Sequence, residues 1–258
     1  IRFKNSPDDQ ITVKNYFGSY HGIDQPNENA IERIEFTDSK AVLTTKDVIA
    51  QARIRHGTAK DDDIYGLADN GNDTIIGGKG NDRLGGGYGN DTYIFSKGDG
   101  KDTIYDYDST EGNLDTIRFG AGIKPTDLIF IHPVCPPNVS SDDPSYVNES
   151  DLIIRFKNSP DDQITVKNYF GNYRGIDRPN NHAIERIEFT DSKAVLTTKD
   201  VITQARIRHG TAKDDDIYGL ADNGNDTIIG GKGNDYLNGG YGNDTYIFSK
   251  GDGKDTIY

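Results

Sequence analysis

Between residues 57 and 105 the apolar residues come singly and far apart, each in the same setting. Ile64, Ile75, Leu84, Tyr93 and Ile104 stand two places after Asp62, Asp73, Asp82, Asp91 and Asp102, and glycine recurs before most of these aspartates. With the apolar residue at the eighth place, five nine-residue frames appear: Gly57 to Tyr65, Ala68 to Ile76, Gly77 to Gly85, Gly86 to Ile94 and Lys97 to Tyr105. One inward residue per frame is too few for a helical stripe, whereas the tail of each frame alternates out, in, out as a short strand does. The glycines allow positive backbone angles and close approach of neighbouring loops. Each frame is therefore expected to be one loop and one strand.

From 106 to 208 the pattern changes to period two. Asp115 to Phe119, Asp127 to Ile131, Asp151 to Phe156, Gln163 to Phe170 and Ala183 to Phe189 read as ordinary strands. Thr197, Thr198 and Asp200 supply capping chemistry, and Val201, Ile202 and Ala205 an apolar stripe, so a short helix follows. Most of this pattern occurs twice. Residues 1–105 and 154–258 differ only at Ser19/Asn172, His21/Arg174, Gln25/Arg178, Glu28/Asn181, Asn29/His182, Ala50/Thr203, Arg83/Tyr236 and Gly85/Asn238. The sixth-place aspartates all recur, as Asp215, Asp226, Asp235, Asp244 and Asp255.

The expected architecture is all-β. A partial cap segment at 1–55 precedes a stacked-loop region at 56–105, and a complete cap and linker at 106–208 leads to a second stack at 209–258. Residues 106–153 occur once, so the first cap lacks its partner and the second stack lacks a following cap. Those two ends are expected to be the least ordered, or to pair with neighbouring molecules.

Stacking buries the Ile, Leu and Tyr row, but it also aligns one carboxylate per frame, and such a row repels itself without a counter-ion. A hard cation between loops removes the repulsion. Calcium accepts six to eight oxygens, including carbonyls that a glycine loop exposes, whereas magnesium holds a tighter octahedron and keeps its waters. Cys135 and the five histidines lie away from the aspartate places, so no nitrogen or sulfur cluster suggests zinc. A net charge of -13 makes nucleic acid and anionic membranes poor partners. With 33% hydrophobic residues and 30 glycines, the chain is expected to fold only marginally without the ion. A single cysteine excludes an intrachain disulfide framework.

GGKGNDRLG, GGKGNDYLN and GGYGNDTYI resemble the GGxGxDxUx nonapeptide of the RTX (repeats-in-toxin) family, whose units wind into a parallel β-roll with calcium between turns. DLIIRF, QITVKNYF and IEFTDS resemble the haemolysin-type related segment that follows such blocks, and the whole array is similar to the large iron-regulated RTX proteins of meningococcal type. The resemblance implies three ions in each roll. Each ion is held by the second, fourth and sixth places of one frame and the first, third and sixth of the frame two further on. One set is Thr58, Lys60 and Asp62 with Gly77, Lys79 and Asp82; the next is Asp69, Gly71 and Asp73 with Gly86, Tyr88 and Asp91. The third is Gly78, Gly80 and Asp82 with Lys97, Asp99 and Asp102. In the second copy the sets are Thr211, Lys213 and Asp215 with Gly230, Lys232 and Asp235; Asp222, Gly224 and Asp226 with Gly239, Tyr241 and Asp244; and Gly231, Gly233 and Asp235 with Lys250, Asp252 and Asp255. The aspartates would act through carboxylates, the others mainly through carbonyls. Six doubly charged ions would carry about +12, nearly cancelling the chain's deficit.

The resemblance also implies type I export of an unfolded chain that folds in external calcium, at the cell surface or beyond it. The leading expectation is a non-enzymatic calcium-responsive module of a large secreted, toxin-like or surface protein. The alternatives are an adhesive module using the variable polar loop at 172–182 against a host-cell or surface ligand, and a non-catalytic segment of a secreted enzyme. Asp143-Pro144 reads as turn chemistry rather than a cleavage site. His56 and His209, beside Arg55 and Arg208, read as linker contacts, since no nucleophile and orienting acid recur around them.

Overall fold

A computed structural model of the chain describes residues 2–3, 6–10, 33–36, 42–134, 148, 150–170, 183–220 and 223–258. Cys135, Asp143-Pro144, Asp222, the loop at 172–182 and much of the first cap segment lie outside the described residues.

The tail of each frame is a strand, and successive strands go to opposite sheets. One six-stranded sheet runs Ile54–His56, Thr74–Ile76, Thr92–Phe95, Thr116–Phe119, Arg186–Phe189, Val195–Thr197. The other runs Asp63–Tyr65, Arg83–Gly85, Lys101–Ile104, Ser159–Val166, Leu152–Phe156, Leu128–Ile131. Pairing within the roll is parallel, with Ile64 beside Leu84 and Leu84 beside Ile104 in one sheet, and Ile75 beside Tyr93 and Tyr93 beside Ile117 in the other. These eighth-place side chains are buried between the sheets, as the sequence pattern requires. The fold is a parallel β-roll.

The cap segment continues the roll instead of standing apart from it. Ile104 pairs in parallel with Val166 and Ile117 with Ile187, and only then does pairing become antiparallel, through Leu152–Phe156, Leu128–Ile131 and Val195–Thr197. The boundary expected at 105/106 therefore falls within two continuous sheets. Phe119 fixes this junction, its ring lying 6.4 Å from Phe95, 5.5 Å from Phe189 and 5.6 Å edge-on from Phe156.

Two helices, α1 (Thr45–Ala52) and α2 (Thr198–Ala205), precede the two rolls. Each starts on a threonine whose N–H and hydroxyl both donate to an aspartate three residues on, Thr44 to Asp47 and Thr197 to Asp200. In α2, Val201, Ile202 and Ala205 are buried, as the apolar stripe predicts. The second roll repeats the first with two three-stranded parallel sheets, and Ile217, Ile228 and Leu237 pack with Val134 in its core. Tyr93 is fully buried, and Tyr246 packs partly buried against that second core, the inward places their frames assign. Buried Arg208 contacts His132 Nδ1 and donates to the Pro133 carbonyl at 3.2 Å, supplying the linker contact, while His56 and His209 are exposed.

Candidate metal centre

Because alternate frames share a sheet, the sixth-place aspartates form two rows at the loop edges of each roll. The N–H of Asp62 donates to Oδ1 of Asp82 at 2.9 Å, and that of Asp82 to Oδ1 of Asp102 at 2.9 Å. In the other row Asp73 donates to Asp91 at 2.7 Å and Asp91 to Asp115 at 2.6 Å. The second roll repeats this, Asp215 to Asp235 at 2.9 Å, Asp235 to Asp255 at 3.0 Å and Asp226 to Asp244 at 2.9 Å. One carboxylate oxygen of each acceptor is thereby committed. The second oxygens of Asp82 and Asp235 are buried with no partner, at the same place in both copies. A buried anionic oxygen without a donor fits a bound cation.

The loops bring carbonyl oxygens to the same edges. A Cβ built on Gly78 would lie 2.5 Å from the Thr58 carbonyl oxygen, one on Gly80 2.6 Å from that of Lys60, and one on Gly89 2.7 Å from that of Gly71. Gly80 also has φ +125°, so only glycine fits there. Gly57 and Gly66 abut the Gly77 and Gly86 carbonyls, and the second roll repeats these approaches at Gly210, Gly219, Gly231, Gly233 and Gly242. Thr58, Lys60 and Asp62 thus meet the Gly77–Asp82 turn, Gly71 and Asp73 meet the Gly86–Asp91 turn, and Gly80 and Asp82 meet Gly100 and Asp102. The side chains of Lys60, Lys79, Lys97, Tyr88 and Tyr241 are exposed, leaving their backbones as the groups near the loops. The carbonyls of Asp99 and Asp252 are already engaged by the N–H groups of Gly80 at 2.8 Å and Gly233 at 2.7 Å. Among the described residues no three Asp, Glu, His or Cys side chains form a ready-made cage, in keeping with ligands drawn largely from the backbone.

One row begins with a cation of its own. The Thr74 N–H bonds to the Arg53 carbonyl at 2.8 Å, just as Thr92 bonds to Asp73 at 2.8 Å, so Arg53 holds a sixth-place position. Its guanidinium grips both oxygens of Asp69 at 2.9 and 2.6 Å, reaches Asp73 Oδ1 at 3.5 Å, and lies over Gly71. Arg206 repeats the arrangement with Asp226 at 3.5 Å, over Gly224. The Asp69 carboxylate is therefore held by Arg53, a pairing the frames did not reveal. The signal was faint, because in Arg53 to His56 arginine stands at the sixth place and again at the eighth, where Arg55 pairs with Ile75.

The electrostatics follow from the rows. Burial, with Asp115, Asp73 and Asp108 nearby, pushes Asp91 up to about 8. Burial, with Asp82, Asp99 and Asp162, pushes Asp102 up to about 7. Asp73, Asp82 and Asp235 are raised first by burial, whereas the hydrogen bonds from Arg53 lower Asp69. Sequence reading also missed Asp115 and Glu185 as members of the second row, although the DTIRF that starts at Asp115 repeats the DTIIG and DTYIF tails.

Comparison with known proteins agrees with this geometry. Residues 67–102 and 220–257 match the RTX calcium-binding nonapeptide repeat, and residues 1–41 and 151–194 the haemolysin-type calcium binding protein related domain. The iron-regulated protein FrpA of Neisseria meningitidis serogroup C is 33% identical over 116 residues, which is 44% of this chain and 9% of that relative. The chain thus corresponds to a small part of that protein's length.

Proposed function

We propose, because the chain is a calcium-binding RTX repeat region related to an iron-regulated neisserial protein, that it acts as a calcium-gated folding module of a longer exported protein. The single observation that carries this reading is the pair of buried, partnerless oxygens on Asp82 and Asp235, set in carboxylate rows beside inward-facing carbonyls. Calcium supplies charge neutralisation and oxygen coordination when bound. The chain's part is to aim the second oxygens of Asp82 and Asp235 and the carbonyls of residues such as Thr58, Lys60, Gly71 and Gly80 between turns, with Thr211, Lys213, Gly224 and Gly233 doing so in the second copy.

In this reading the region does no chemistry itself. RTX repeat proteins are generally extracellular or surface-associated, and low intracellular calcium would keep the rows repelling and the chain unfolded until type I export delivers it outside. Cap strands close the open end of the first roll and lead on to the second.

The test is far-UV circular dichroism during calcium titration, with magnesium as control, on the chain and on a variant with Asp73, Asp82, Asp226 and Asp235 changed to alanine. A cooperative gain of β signal with calcium alone, lost in the variant, supports the reading. Full β structure in EDTA would sink it.

A further inference from the structure

The second aspartate row does not stop where the nonapeptides stop. Thr116 N–H bonds to the Asp91 carbonyl at 2.8 Å and Arg186 N–H to the Asp115 carbonyl at 3.1 Å, so Asp115 and Glu185 occupy the next two sixth-place positions. Their side chains continue the pattern, Asp91 N–H donating to Asp115 Oδ1 at 2.6 Å and Asp115 N–H to Glu185 Oε2 at 2.7 Å. Between these turns lie two more carboxylates. Asp108 Oδ2 accepts from Gly89 N–H at 3.0 Å, and Asp106 Oδ1 accepts from Asp108 N–H at 3.0 Å.

Asp106 is only 3% exposed, and its Oδ2 has no N–H donor, its carboxylate lying against that of Asp115. The charge that acts on it most strongly is that of Asp115. Among the described residues no lysine or arginine pairs with Asp91, Asp106, Asp108, Asp115 or Glu185. A buried carboxylate set without a positive partner must take up protons or a cation.

We propose that Asp106, Asp108 and Asp115, with Asp91 and Glu185, form a further calcium site at the junction of roll and cap, outside the nonapeptide repeats. It rests on the calcium reading above and adds an ion to it. All its donors are oxygens, which selects a hard cation. No three of these carboxylates form a ready-made cage, so the ion would draw on backbone oxygens or water as well. Asp108 accepts N–H donors on both oxygens and Asp115 accepts from Asp91 N–H on one and the Asn113 amide on the other, so the donorless oxygen of Asp106 is the one left for the ion to seat on first. Such an ion would tie the last turn of the roll to a strand that begins at Arg186, closing a loop of chain that no nonapeptide site spans.

The experiment counts bound calcium by equilibrium dialysis on the full chain, for wild type, Asp106→Asn, Glu185→Gln and the nonapeptide control Asp82→Asn, with circular dichroism reporting the fold. Asp106→Asn is expected to fold in calcium and bind one ion fewer than wild type. A folded Asp106→Asn chain with unchanged stoichiometry and affinity would overturn the proposal, leaving a cluster that holds protons only. Crystals of the unmodified chain grown in calcium decide the matter whatever the variants do. Anomalous density between Asp106 and Asp115 supports the site, and density at the nonapeptides without any there overturns it. Absence of calcium at every position would instead overturn the broader reading.

Discussion

The N–H of Asp82 donates to Oδ1 of Asp102, while the second oxygen of Asp82 is buried without a donor. Asp82 also accepts from Asp62 N–H, so it stands in the middle of its row. Replacing Asp82 with alanine removes a ligand shared by two of the proposed ions. Equilibrium dialysis is expected to find two fewer calcium ions per chain, and the calcium midpoint of the β transition to rise. The exposed Asp63, changed to alanine, is expected to leave both unchanged.

Gly80 and Gly98 separate two reasons for glycine. Gly98 has φ +84° with nothing within 4 Å of a built Cβ, so Gly98→Ala meets backbone strain alone and is expected to cost about 1 kcal/mol. Gly80→Ala adds a collision with the Lys60 backbone and is expected to cost several times more. Thermal unfolding in saturating calcium ranks the two, and equal costs would mean the loops can part without penalty.

Arg53 stands where its row would otherwise carry an aspartate. Arg53→Asp with Arg206→Asp exchanges a tethered cation for a ligand, and dialysis is expected to find about one more calcium per roll. In EDTA the same variant is expected to be less folded than wild type, because Asp69 and Asp73 lose the guanidinium of Arg53.

The raised carboxyls set the pH dependence without calcium. Asp91 moves from an ordinary value of 3.8 to about 8, and Asp102 to about 7, so between these limits the folded chain holds more protons than the unfolded one. Calcium-free stability must then fall as pH rises from about 4 to about 8. Far-UV circular dichroism in EDTA is expected to show more residual β structure at pH 5 than at pH 8. Calcium binding near pH 7 is expected to release protons, measurable by calorimetry in buffers of different ionisation heat.

Phe119 couples roll to cap through three aromatic neighbours. Phe119→Ala is expected to cost about 3 to 5 kcal/mol. Because its partners come from both segments, their melting transitions should separate in calorimetry. A single unshifted transition would mean that the backbone pairing alone holds the junction.

Much of this was legible in the residues. The eighth-place row of Ile, Leu and Tyr predicts the roll because its spacing leaves one buried side chain per frame, and the repeated Asp to Ile tail predicts the carboxylate rows. The continuation into the cap was not legible, since Ser159–Val166 and Arg186–Phe189 reach the roll across long stretches of chain and carry no glycine loop to announce a turn. Arg53 escaped notice for a related reason: its role depends on backbone position in the stack, where arginine replaces the residue that defines the pattern.

Linked aspartates are separated by 20 and 20 residues in one row but by 18 and 24 in the other. A stack of identical rungs could slide by one rung and still close. Uneven rungs work like the cuts of a key: within a roll, the two sides cannot slip together by one rung and still seat every loop.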